Sequence, residues 1–256
     1  VKAWKLLAEA AAPDGGRLQL VERDREFVIR IDGQLLMSSR MHGSEEAMAE
    51  VGVGPATAAQ PRARVLIGGL GCGYTVRATL DRLRPDATII VAEIAKAVVD
   101  WNRGPLGPLA GHPLDDARVQ VKRTDVRTLL TPEGRYHAIL LDVDNGPQAL
   151  SARSNHGLYQ PAGLQRAHAA LVPGGTLVVW SAAPDTRFAD RLRAAGFEVE
   201  VRAVPIRSPH VAQSAAGSEK ETAAPARPVK SPAKSKAGGR HILFVATRPA
   251  PRHAKM

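Results

Sequence analysis

Residues 64–73 read RVLIGGLGCG, and residues 87–93 read ATIIVAE. The first block is a short apolar run broken by glycines, directly before the helical pattern of 74–83. Glycines there let the chain turn sharply and let a ligand lie against main-chain N–H groups. The spacing at Gly69, Gly71 and Gly73 is G-x-G-x-G, not the G-x-G-x-x-G that suits a pyrophosphate. The second block ends in Glu93, 22 residues after Gly71. A carboxylate at that strand end can accept hydrogen bonds from both hydroxyls of a ribose. The alternative is a tight strand–helix turn and a solvated glutamate.

Working outward, the same punctuation continues. Strands are expected at 64–69, 87–93, 118–122, 137–142, 175–181, 197–204 and 241–247, with helices over 74–83, 95–103, 159–171 and 184–195. Apolar strands alternating with helices indicate a doubly wound, mostly parallel seven-stranded α/β sheet. The last two strands can pair as a hairpin. Upstream, RLQLVERDREFVIRIDGQLLMSS (17–39) alternates loosely, with Asp32-Gly33 as a hairpin signal, and Glu45–Ala49 suggests a short helix. The expected organisation is a small β-rich segment over 1–50 and a nucleoside-binding α/β domain over 51–205 and 241–248. Residues 206–240, rich in Ala, Pro, Ser and Lys, form an expected disordered insertion, and 249–256 a flexible C-terminus.

The 256 residues carry a formal net charge of +10. Residues 207–256 hold ten Lys/Arg against two acids, so the preceding body carries only +2. The basic character therefore sits largely in the C-terminal segment, which argues against a nucleic-acid-binding domain. A single cysteine, Cys72, excludes an internal disulfide. Apolar runs such as Val65–Leu70 fall far short of the ~20 residues that span a bilayer. The first residues lack the apolar core of a secretory leader, so no membrane association and a cytoplasmic location are expected.

Three further positions carry chemistry. Asp125, just past the third strand, stands where an adenine would be flanked; it equally suits the N-cap of the next turn. The fourth strand ends in LDVDNGP (141–147). Here Asp142 is the candidate general base for an amine nucleophile, and Asp144 a second site for a cation. An Asx-type turn is the alternative for this block. Eight histidines are scattered without a metal-ligand pattern, so no metal is expected. There is no GK[ST] for a P-loop and no G-x-S-x-G.

VLIGGLGCGYT, VAEI, RVQVKRTDV, AILLDVDNGP and LYQPAGLQRAHAALVPGGTLVVW occur in this order after an acidic helix, SEEAMAE. The series resembles the polyamine aminopropyltransferases, the spermidine synthase family, over roughly residues 30–200. That resemblance implies the class I methyltransferase-like Rossmann fold, a homodimer, and aminopropyl transfer from decarboxylated S-adenosylmethionine to a small-molecule amine. It implies Glu93 for the ribose, Asp125 for the adenine, Asp142 as general base, and Glu46, Asp144 and Asn145 on the substrate side. The departures are specific. Gly71 replaces an aspartate of the glycine loop, Met48 a tyrosine, Leu36 a glutamine and Asn145 a second aspartate. They leave two alternatives: a methyltransferase using intact S-adenosylmethionine on a small molecule, and a non-catalytic nucleoside-binding relative.

Overall fold

The computed structural model describes residues 2–13, 15–143, 156–206 and 239–251. Asp144, Asn145 and nearly all of the expected insertion lie outside them.

The chain opens with a four-stranded antiparallel sheet in sequential order: β1 (Lys5–Ala11), β2 (Arg17–Arg23), β3 (Glu26–Ile31) and β4 (Gln34–Ser38). The β2–β3 and β3–β4 turns are two-residue turns. Their central residues, Asp24-Arg25 and Asp32-Gly33, lie at positive φ. That mirror-image geometry matches the strand twist. β1 was not expected from its sequence, KLLAEAA. It is a strand because it pairs with β2 from Lys5↔Glu22 to Ala11↔Arg17.

Helix α1 (Gly43–Gly52) and the short α2 (Pro55–Ala59) lead into the large sheet. Its strands are β5 (Arg64–Gly68), β6 (Thr88–Ala92), β7 (Val119–Lys122), β8 (Tyr136–Leu141), β9 (Leu171–Ser181), β10 (Glu198–Pro205) and β11 (Arg240–Thr247). Helices α3 (Tyr74–Leu80), α4 (Lys96–Arg103), α5 (Pro161–Ala170) and α6 (Thr186–Ala194) lie between them. The strand order is β10-β11-β9-β8-β5-β6-β7. β7 to β9 run parallel, and β11 is antiparallel to both its neighbours. This is the expected doubly wound, mostly parallel sheet, closed by the expected hairpin.

One boundary differs from expectation. β9 starts at Leu171 and not at 175, so Pro173-Gly174-Gly175 lies inside the strand. The register jumps there from Tyr136↔Leu171 to Ala138↔Thr176, which accommodates the extra residues as a bulge.

Both faces of the sheet are covered, so successive strand residues enter different cores. Val65, Ile67, Ile89, Val91 and Leu140 pack with Leu20, Ile29 and Met48 from the N-terminal part. Leu66, Ile90, Ile139 and Leu141 pack with Leu164, Phe188, Leu192 and Phe244 on the other face.

Where β5 ends, Gly69 adopts φ +89°, and a Cβ there would sit 2.3 Å from the carbonyl oxygen of Asp142. Strand β5 thus lies too close to the end of β8 for any side chain at this position. Gly69→Ala is expected to destabilise the fold by about 3 kcal/mol through left-handed strain and backbone displacement. Urea melts check this; a loss below about 1 kcal/mol would contradict the close approach.

Candidate functional site

The strand order reverses between β5 and β8, and open α/β sheets bind ligands outside the carboxyl ends of strands at such a point. A cavity of about 680 Å³ opens there. It is lined by Gly69 and Gly71 after β5, Glu93 after β6, Asp125 after β7 and Asp142 after β8. The sequence-predicted cofactor residues therefore meet in one hollow, with Gly73 just behind it as the N-cap of α3.

Glu93 is held from two sides. The Leu70 N–H donates to Oε2 at 3.0 Å and the Ala95 N–H to Oε1 at 2.8 Å. The carboxylate thus ties the glycine loop to the start of α4. Asn102, on α4, adds a second tie: its Nδ2 donates to the Gly71 carbonyl at 2.8 Å and the Val98 carbonyl at 2.9 Å. Sequence reasoning missed Asn102, which follows Trp101 on the buried face of a strongly amphipathic helix.

Asp125 does what a capping residue does. It accepts the Arg127 N–H at 2.8 Å, and its Oδ2 takes the Arg127 Nε at 2.9 Å. Burial disfavours its charge, but the Arg127 bonds outweigh that and hold the carboxyl below its ordinary value. Capping and cavity lining are therefore both true of this residue.

Asp142 has an unforeseen neighbour, Glu45, near the start of α1. Glu45 shares the buried helix face with Ser44, Met48, Ala49 and Gly52. Burial, then repulsion from Asp142, push its carboxyl up to about 8, against a lowering bond from Ser44 Oγ at 2.7 Å. Asp142 keeps some surface open to the cavity, yet protein surrounds it deeply enough that burial pushes it up to about 6. The two titrate as a pair. Behind them, His241 Nδ1 lies 3.0 Å from Ser44 Oγ and 3.2 Å from Trp180 Nε1. Burial lowers the His241 pKa, which favours the neutral ring.

The pair has a consequence for stability. Its folded values lie above the unfolded ones, so between about 3.8 and about 8 the unfolded chain has released protons that the folded chain keeps. Stability due to the pair therefore falls as pH rises through that window, by up to about 1.4 kcal/mol per unit for each retained proton. Buried histidines act in the opposite sense near pH 6.5. The wild type is therefore compared with Glu45→Gln. From pH 5 to pH 9, the wild-type melting temperature is expected to drop relative to the variant. Parallel curves would contradict the coupling.

Glu46, expected on the substrate side, is placed elsewhere. Its Oε1 lies 2.9 Å from His42 Nδ1, and His42 stacks on Tyr74 at 4.0 Å. Glu45 lines the cavity instead, because the apolar side of α1 faces the sheet. Met48 is fully buried in the core, whereas Leu36 lines the cavity. Asp144 and Asn145 lie outside the described residues. Cys72 is buried, and burial pushes its thiol up to about 12, which makes it a poor nucleophile. Among the described residues no cluster of His, Cys, Asp and Glu could hold a metal. No described helix is long and apolar enough to cross a membrane.

No protein-family model matches the chain, and no curated protein matches it by sequence. Solved structures match its fold. Spermidine synthase from Thermotoga maritima superposes with a TM-score of 0.66 at 17% identity, over 95% of this chain and 72% of that one. A spermidine synthase in complex with the transition-state analogue AdoDATO gives 0.64 at 17% identity, over the same shares. Human methyltransferase-like protein 13 in complex with SAH gives 0.52 at 17%, over 84% of this chain and 85% of that one. The fold is the Rossmann-like methyltransferase fold.

Proposed function

We propose that this chain is a spermidine synthase-like transferase that moves an aminopropyl group from decarboxylated S-adenosylmethionine to an amine. One observation carries the reading. Four acidic side chains, Glu45, Glu93, Asp125 and Asp142, line the cavity, and no lysine or arginine does among the described residues. Arg127 pairs Asp125, and burial holds Glu45 largely protonated near neutral pH. The Glu45–Asp142 pair therefore shares a negative charge that no protein cation lining the cavity meets, among the described residues. In a protein of net charge +10, such a hollow selects cations. Both proposed reactants, a sulfonium and an amine, are cationic.

In this reading the glycine loop, Glu93 and Asp125 hold the nucleoside. The ammonium of the acceptor sits at Asp142 and passes its proton to that carboxylate. The freed nitrogen lone pair attacks the carbon next to the sulfonium. A C–N bond forms, the C–S bond breaks, and its electron pair returns to sulfur, leaving neutral methylthioadenosine. Positioning supplies most of the rate, because an alkyl sulfonium is already activated.

A second reading has its own support. Gly71 brings no acid to the cavity, and a Cβ there would meet Met37 Cε at 2.5 Å. Nothing on the loop side chains then holds the terminal ammonium of a decarboxylated tail, which leaves room for intact S-adenosylmethionine and methyl transfer. Incubation with each cofactor and a panel of amines, read by mass spectrometry, decides. An aminopropylated product is the expected result. A methylated product would establish the second reading, and no product in any mixture would remove both.

A further inference from the structure

The two ends of the cavity differ in chemistry. Glu93 and Asp125 are each engaged, by backbone N–H groups and by Arg127. Glu45 and Asp142 form the remaining acidic locus, with no lysine or arginine lining the cavity beside it among the described residues. The N-terminal sheet contributes a wall to the same cavity: Leu18, Ile29, Ile31, Leu35, Leu36 and Met37. The part of the wall from Ala12 to Met41 contributes no charged side chain among the described residues.

A second observation points to an apolar occupant. Five large hydrophobic residues are exposed among the described residues: Leu6, Leu35, Leu36, Ile94 and Val201. Two of these, Leu35 and Leu36, stand on this wall, and Ile94 lines the same cavity beside Glu93. Leu35 is 58% exposed and Leu36 43%. Apolar side chains left open on the wall of a concave site are surface that a ligand can cover.

We infer that the acceptor is a primary amine with a single ammonium group and an apolar tail, the head at Glu45–Asp142 and the tail along the N-terminal sheet. The inference rests on the transferase reading for the role of the amine. Along this wall a linear diamine would set its second ammonium against leucine, isoleucine and methionine side chains, with no carboxylate among the described wall residues to pair with it, which is strongly unfavourable. An alkyl or aryl tail removes apolar surface from water on both sides.

The test is calorimetric titration of the full chain with butylamine, hexylamine, 2-phenylethylamine and 1,4-diaminobutane, each with and without methylthioadenosine. Affinity is expected to rise about fourfold per methylene along the monoamines until the wall is covered. The diamine is expected to bind about tenfold or more weakly than butylamine. Leu36→Glu, at an exposed position that the core does not need, is expected to close most of that gap. Equal or tighter diamine binding overturns the inference, and so do affinities that stay flat with chain length or a gap untouched by Leu36→Glu. Failure of methylthioadenosine to bind counts against the nucleoside site instead, and the amine series still decides the tail.

Discussion

Glu93→Ala is expected to weaken methylthioadenosine binding by about a hundredfold or more. Two charge-assisted hydrogen bonds to a ribose account for a loss of that size. The structure adds a second route to the same loss. Without the carboxylate, the Leu70 and Ala95 N–H groups lose their shared acceptor, and the glycine loop loses its tie to α4. Glutamine is no neutral substitute, because its amide nitrogen would face a backbone N–H. The alanine variant is therefore titrated calorimetrically beside a thermal melt. A retained cooperative melt with lost binding is the expected pair of results. Unchanged affinity would remove Glu93 from the nucleoside site.

Asp142→Asn is expected to lower kcat by about two to four powers of ten while methylthioadenosine affinity stays within about twofold. The amide still occupies the same volume and accepts a hydrogen bond from the amine, but it takes no proton. The pH profile separates this from a merely steric loss. In the wild type the rate rises with pH as the Glu45–Asp142 pair gives up its proton, and in the variant that limb is lost. Glu45 itself should fall only part of the way back toward its ordinary value, because burial rather than Asp142 is the larger cause of its shift. Wild-type turnover in the variant would remove the base assignment.

The large sheet was legible because its strands are β-branched runs bounded by glycine and by polar turns. Both faces of its central strands β5, β6 and β8 are buried, so no alternation had to be read there. β1 was not legible, since Lys, Leu, Ala and Glu are helix formers and only the pairing with β2 makes them extended. Among site residues, those at strand ends were found because their position along the chain fixes their place in the crevice. Glu45 was missed because its placement depends on which side of α1 meets the sheet. Met48, Ala49 and Gly52 stand three, four and seven residues after it, and that spacing marks the buried side. His241, which lies against Ser44, meets Trp180 only through the β11–β9 pairing, where Leu243 faces Trp180. No local spacing encodes that contact.

The hollow draws one wall from Ala12–Met41 and most of the rest from Gly69–Val143, with Ser44, Glu45, Trp180, Ala182 and His241 completing it. In the proposed reading, substitutions on the solvent-exposed part of that first wall, at Leu35 and Leu36, retune the acceptor while leaving the glycine loop, Glu93 and Asp125 in place.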